Sequence, residues 1–292
     1  YWPHDTTLWV RDFKGSHPRF VYYFLKTLDT RSMDVGSANP ALNRNHLHPL
    51  QVRWPTTTAL QVGIAQVLGA LDDKIAANTR TISAVEVLAL AEFTVMPRSS
   101  VSPLSATARF INGRNFTKEA SGSGRVVIRI AELNSGLGGS TVYSDAVADA
   151  DNVAGPGTLL FAWSGSLTLH RWYRDEGLVN QHIFKVIPQP GVPIWLVHQL
   201  LQEALDGFRA IAAGKATTMG HIQRKHLDIE MSIPTEEVIS RRHSLMQGLW
   251  DSALSTERES LKLAELRDTM LPALMSGQLT VREAERQVEA VV

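Results

Sequence analysis

Apolar residues at Leu60, Ile64, Val67, Leu71, Ile75, Ile82, Val85 and Ala89, with polar Asn78 in between, recur every three or four positions from Thr56 to about Val95. That spacing predicts a long amphipathic helix with a coiled-coil seam, and the extra four-residue step between Leu71 and Ile75 reads as a stutter. At 1.5 Å per residue it reaches roughly 55 to 60 Å, too long for an internal element of a small domain. A second such pattern runs from Pro234 to about Ser276, with Val238, Leu245, Leu249, Ala253, Leu261 and Ala264 on one stripe. Acidic Glu236 and Glu237 suit its N-terminal dipole, and Pro272 ends or kinks it. Two such stripes are buried only against each other or against a partner helix.

Between the arms the texture changes. Gly-rich turns (Ser121-Gly122-Ser123-Gly124, Gly136 to Ser140) separate short β-branched or apolar runs at 126–130, 159–163 and 182–187, read as strands. A helix is predicted from Val192 to about Ala213, followed by a polar loop, so the stretch 99–233 is of the α+β kind. Before the first arm, 6–10 and 47–52 read as strands and 18–28 as a helix opened by proline.

The chain also repeats itself. Asn43-Arg44-Asn45-His46-Leu47 and Gln223-Arg224-Lys225-His226-Leu227, about 180 residues apart, each precede an apolar–polar alternation, a proline and a long arm. Upstream, Pro18 to Leu25 has its counterpart in Pro193 to Leu200. This period far exceeds that of a solenoid, so each copy is a module made of a small domain and its arm. The chain opens without Met and on a strand-like run, and the first module reads as lacking its front.

A length of 292 residues, 44% hydrophobic and 20% charged, fits a two-domain globular chain. No apolar run of 18 residues exists, so no transmembrane helix is expected. The absence of cysteine excludes disulfides, thiolate zinc sites and cysteine nucleophiles, and fits a cytoplasmic location. Basic and acidic residues balance at 29 each, so any nucleic-acid role must use local patches or basic partners. No GxxxxGK[ST] loop, GxSxG elbow, HExxH pair or Asn-Pro-Pro-aromatic run is present, and the glycines at 122 and 124 precede a strand rather than follow one. No catalytic, cofactor or metal site is expected in this chain.

Several runs resemble the specificity subunits of type I restriction-modification systems. Phe161-Ala162-Trp163-Ser164-Gly165-Ser166-Leu167 and Gly177 to Val186 look like their target-recognition domain. Val67 to Ile75 resembles the family's central conserved helix, and Leu266 to Gly277 its C-terminal conserved region. The resemblance implies an α+β fold with target-recognition domains joined by two long antiparallel coiled-coil helices in a pseudo-twofold internal repeat. On that plan, 1–55 is the end of the first recognition domain and 56–98 the central helix. The second recognition domain is 99–233, and 234–292 is the C-terminal helix and tail. It implies a non-catalytic subunit whose domains each read one half of a split site in double-stranded DNA. Its arms dock two methyltransferase subunits, and restriction subunits join the full complex. S-adenosylmethionine, ATP and Mg would then sit on those partners. The competing reading is a non-catalytic coiled-coil scaffold whose α+β domains bind protein or carbohydrate, favoured by the neutral charge.

Reading bases needs donors and acceptors delivered into a groove, while phosphate contacts set the register. The loop candidates for DNA contact are Asn112, Arg114, Asn115 and Lys118; Ser164, Ser166, His170, Arg171 and Arg174; and Lys215, Thr217, Thr218, His221, Gln223, Arg224 and Lys225. Ser164-Gly165-Ser166 suits a phosphate contact and equally an ordinary hairpin turn. Arg114 beside Asn115 suits bidentate readout or a solvated loop. The stretch 215–225 is basic and rich in hydroxyls, with no acid until Asp228. Asn180, Gln181 and His182 are open between contact and loop anchoring, with His182 assigned to structure. Trp163, Trp172, Tyr173 and Trp195 are expected in the core rather than as a stacking platform.

Overall fold

The computed structural model describes residues 8–29, 44–55, 57–214 and 220–291. The chain forms two compact units, Tyr1–Asn78 with Glu259–Val292, and Thr79–Arg258. The two arms, α3 (Thr58–Thr94) and α7 (Glu236–Ser276), each contribute to both.

In the first unit, α1 (Pro18–Lys26) starts at the expected proline, and a single helical turn, α2, spans Arg44–Leu47. Phe20 and Tyr23 of α1 are fully buried against Ile64, Leu68 and Leu71 of α3 and Leu263, Met270 and Leu274 of α7. Trp54 meets Phe20 and Phe24 edge-on at 5.0 and 4.8 Å. Asp72 accepts from Tyr23 Oη at 2.6 Å and from Arg267 Nη1 at 2.6 Å. Burial works against its charge, yet these two donors hold its carboxyl below the usual range. Asn78, the polar residue of the predicted seam, is buried and donates to Glu259 at 2.8 Å. Partners fall along α7 as they rise along α3, the order of helices running in opposite directions.

Two expected strands are corrected here. Residues 8–10 are not in a strand, and Thr6 and Thr7 lie outside the described residues. The run 47–52 also stays out of a strand: Leu47 closes a helical turn and the rest is irregular. A strand needs a ladder partner, and 47–52 meets none among the described residues. The equivalent stretch of the second copy has one.

The second unit holds the sheets. After β1 (Arg98–Pro103) and the turn α4 (Leu104–Thr107) come β2 (Ala108–Asn112), β3 (Arg125–Ile128), α5 (Ile130–Ser135), β4 (Tyr143–Ser144) and β5 (Val153–Ala154). Then follow β6 (Leu159–Ala162), β7 (Thr168–Arg171), β8 (Gly177–Val179), β9 (Ile183–Pro188), α6 (Ile194–Ala213) and β10 (Glu230–Pro234). One four-stranded sheet has the antiparallel order β2-β9-β6-β7; the other, β4-β3-β8-β5, is mixed, with β3 and β8 parallel; β1 pairs with β10. β6 is buried on both faces, which explains its unbroken apolar run. Phe110, Phe161, Phe184 and Phe208 share the main core with Trp195 and Leu200 of α6, Phe93 of α3, and Met246 and Trp250 of α7.

Two positions on the arms differ from the pattern. Leu60, placed on the α3 seam, is exposed. On α7 Ala253 is buried and Val238 and Leu249 pack against the core as the spacing suggested, while Leu245 is exposed and Met246 and Trp250, off that stripe, are buried. Thr280 accepts from the Glu283 amide while Glu283 accepts from the Thr280 amide, which starts a final helix, α8 (Val281–Glu289), inside the expected tail.

Candidate nucleic-acid interface

The register of the antiparallel sheet gives it two distinct ends. Asn112 pairs with Phe184, Ala162 with both Ile183 and Thr168, so the loops after β2 and β6 and before β9 emerge together. Arg171 pairs with Leu159 at the opposite end.

At the first end lies a hollow of about 760 Å³. Its frame is backbone. Trp163 N donates to His182 O at 3.0 Å, Ile222 N to Trp163 O at 3.1 Å and Gly165 N to Gly220 O at 2.9 Å. Residues 163–165 are thereby held between 182 and 220–222. Gly165 turns with φ of +68°, where a side chain would be strained, and His182 reaches +76° without being glycine. Trp163 lies against Phe184 at 5.7 Å and His182 at 5.2 Å, with His221 edge-on at 6.3 Å. Its Nε1 donates to Asn112 Oδ1 at 2.9 Å, which fixes the Asn112 amide with its NH2 group turned away from that bond. Ser164, Gln223 and Arg224 complete the polar lining, and Arg224 Nη2 donates to Phe110 O at 3.0 Å.

Five of the residues expected from sequence therefore line one hollow: Asn112, Ser164, His221, Gln223 and Arg224. Exposed Lys225 follows Arg224 on its helical turn, and exposed Ser166 accepts from Asn134 Nδ2 at 3.0 Å. The Arg114–Lys118 loop is stitched alongside: Gln181 N donates to Arg114 O, and Phe116 N donates to Asn180 Oδ1 at 3.1 Å. Asn180 is thus a buried anchor for that loop. Arg114 is exposed, over the Phe116 ring and 3.9 Å from Glu119. Asn115 accepts from Thr117 at 2.5 Å, and Lys118 is exposed. Lys118, Arg174, Arg224 and Lys225 enter no ion pair among the described residues. Lys215, Thr217 and Thr218 lie outside the described residues.

Arg171 is corrected. Its side chain is 4% exposed, with Nε donating to Glu257 at 2.9 Å, Nη2 to Glu86 at 2.5 Å, and the guanidinium 4.3 Å from the centre of the Trp250 ring. A cation so enclosed holds β7 to the arms and is closed to DNA. Burial pushes the Glu257 carboxyl above its usual range, more than Arg171 pulls it down. His170, on the same strand, bonds Thr168 at 3.0 Å, and burial lowers its pKa. Arg174 lies beyond Arg171, over Tyr173.

The sequence reading missed the aromatic walls. Trp163 is half-buried at the hollow, not sealed in the core, and His182, assigned to structure, is exposed on its wall. Trp172 and Trp195 are in the core as expected. Among the described residues no cluster of His or carboxylates could hold a metal, and no helix is long and apolar enough to cross a membrane.

No family model matches the chain. Over 72 residues, 24% of this chain, it is 33% identical to the type I restriction enzyme MjaIX specificity subunit of Methanocaldococcus jannaschii; the match spans only 16% of that relative. Its fold resembles the crystal structure of the type I restriction-modification system S subunit from M. genitalium, with a TM-score of 0.52 and 14% identity. That likeness covers 88% of this chain and 72% of the other. The chain thus shares its fold with one type I restriction-modification specificity subunit and a stretch of its sequence with another.

Proposed function

We propose that the chain is the DNA sequence-recognition subunit of a type I restriction-modification complex. The observation that carries this reading is the shared fold, with its mixed sheets and two long helices. The cations near the hollow add to it, with Arg224 and Lys225 on one helical turn at its lip and Lys118 on a following loop. In the role proposed, that end of the sheet meets double-stranded DNA, cations contact phosphates, and amides and hydroxyls read base edges. The 18–55 and 193–234 stretches are equivalent parts of two modules, each followed by its arm. The arms dock two methyltransferase subunits, and restriction subunits join the full assembly. The chain itself does no chemistry; S-adenosylmethionine, ATP and Mg belong to its partners, and the complex works in the cytoplasm.

The test is an electrophoretic mobility shift of the chain assembled with its methyltransferase subunit. Sequence-selective retardation is expected, and Arg224→Ala with Lys225→Ala should weaken binding on every sequence and reduce the salt slope by about two. Absence of a selective shift from the assembled complex overturns the reading.

A further inference from the structure

The hollow at Trp163 is the wrong shape for groove reading. Base edges in a duplex are recessed, and proteins reach them with protruding helices, strands or side chains. A concavity on a DNA-facing surface receives what protrudes from the duplex, and only two kinds of group do so: a phosphate or a base swung out of the stack.

The lining decides between them. Phosphate sites gather cations and backbone N–H donors. Here the walls are the rings of Trp163, Phe184, His182 and His221, with Ile130 and Ile222 beside them, and a single cation, Arg224, stands at the lip with one N–H on Phe110 O. Flat faces and a few amides are the chemistry of a nucleobase, which stacks on its π-surface and bonds along its edge. The Asn112 amide supplies such an edge partner, because its oxygen is occupied by Trp163 Nε1 while its NH2 group remains to donate. No carboxylate lines the cavity to repel the backbone that must come with the base. At about 760 Å³ it accommodates a base with its sugar. The walls are also set in advance, with Trp163 pinned on both sides by backbone bonds and His182 held at a positive φ.

We propose that this hollow binds one unstacked nucleobase of the bound DNA, distinct from the adenine a methyltransferase would modify. This rests on the DNA-recognition reading above.

The experiment uses the chain assembled with its methyltransferase subunit and a duplex carrying the sequence it selects. 2-Aminopurine is placed in turn at each purine and pyrrolocytosine at each cytosine, and permanganate reports unstacked thymines. One position other than the methylated adenine should unstack on binding. Trp163→Ala should abolish that signal and weaken binding about tenfold, and His182→Ala, at an exposed position, should reduce the signal with the fold intact by circular dichroism. Sequence-selective binding by the unmodified chain with every other position stacked overturns the proposal and leaves the recognition reading standing. Absence of selective binding removes both. Because the decisive measurement is made on the unmodified chain, a misfolded Trp163→Ala variant does not rescue or sink it.

Discussion

Replacing Arg171 with alanine removes the cation that Glu257 and Glu86 share. Glu257 is 17% exposed and cannot turn far into water; Glu86, at 36%, can. Breaking a buried pair by removing one partner destabilises by about 3 to 5 kcal/mol, and the freedom of Glu86 puts this case at about 3. The lost contact with Trp250 is part of that figure. The Glu257 carboxyl already titrates high because it is buried, and without Arg171 it rises further. A raised carboxyl pKa means the folded state binds a proton the unfolded state releases, so stability falls as pH rises through it. The destabilisation should therefore be larger at pH 8 than at pH 5, since proton uptake by Glu257 relieves the stranded charge.

Urea unfolding of the two proteins at pH 5 and pH 8, followed by circular dichroism and tryptophan fluorescence, measures both quantities. Pairing Arg171→Met with Glu257→Gln should recover more than half the loss, since neither charge is then stranded. A loss below about 1 kcal/mol, or one equal at both pH values, refutes the reasoning. Full stability with lost DNA binding would mean that the side chain serves DNA after all.

Gly113→Ala should lower stability by more than about 2 kcal/mol in thermal melts, because a Cβ there would sit 2.2 Å from Asn180 O and 2.4 Å from Val179 O, both backbone. His198 is packed edge-on to Trp250, and burial pushes its imidazole down to about 4, with Glu86 and Arg171 pulling in opposite directions. Below pH 6.5 the unfolded chain takes up a proton the folded chain refuses, so stability should decline between pH 6.5 and 4 by up to about 3 kcal/mol. His198→Gln should flatten that part of the pH profile, and a flat profile in the unaltered chain counts against the assignment. Tyr23→Phe should cost about 1 kcal/mol in urea unfolding, since Asp72 keeps Arg267 when the hydroxyl is gone.

The arms were legible because periodicity over 37 and 41 residues averages out local exceptions. Their details were not. Along α7 the spacing that begins at Met246, Trp250 and Ala253 continues to Glu257, and a charged residue on a buried line is invisible to a rule that seeks apolar ones. Its partner Arg171 is 86 residues away. The 47–52 alternation looked like the one at 229–234, but β10 exists because β1 pairs with it. The α8 start was readable in Thr280-Val281-Arg282-Glu283 and went unused. At the hollow, Asn112, Ser164, His221, Gln223 and Arg224 are legible as loop residues because turns carry polar side chains, whereas Trp163 is expected in the core: an aromatic residue at a strand end suits a core and a pocket wall equally. Only the meeting of residues 112, 163, 182 and 222 separates the two, and no local pattern encodes that.

The balanced charge that first argued against nucleic acid changes meaning once each cation is placed. Arg19 faces Asp73, Arg98 faces Glu203, Arg109 faces Asp151, Arg129 faces Glu132, Arg242 faces Glu92 and Arg267 faces Asp72. With Arg171, these arginines spend their charge on acids that fasten helices and strands together. Lys118, Arg224 and Lys225 do not; Arg224 lines the hollow where Asn112 and Ser164 emerge, Lys225 follows it on the same turn, and Lys118 lies on the turn after the Asn112 loop. A zero sum over the chain is therefore compatible with a local positive rim, because several of the acids are taken up by arginines that fasten the fold. At a Debye length of about 8 Å, a phosphate approaching the hollow would feel that rim together with Glu119 and Asp228 on the same turns, and the more distant acids would be screened. For this chain, the sorting of the charges bears on a partner more than their total does.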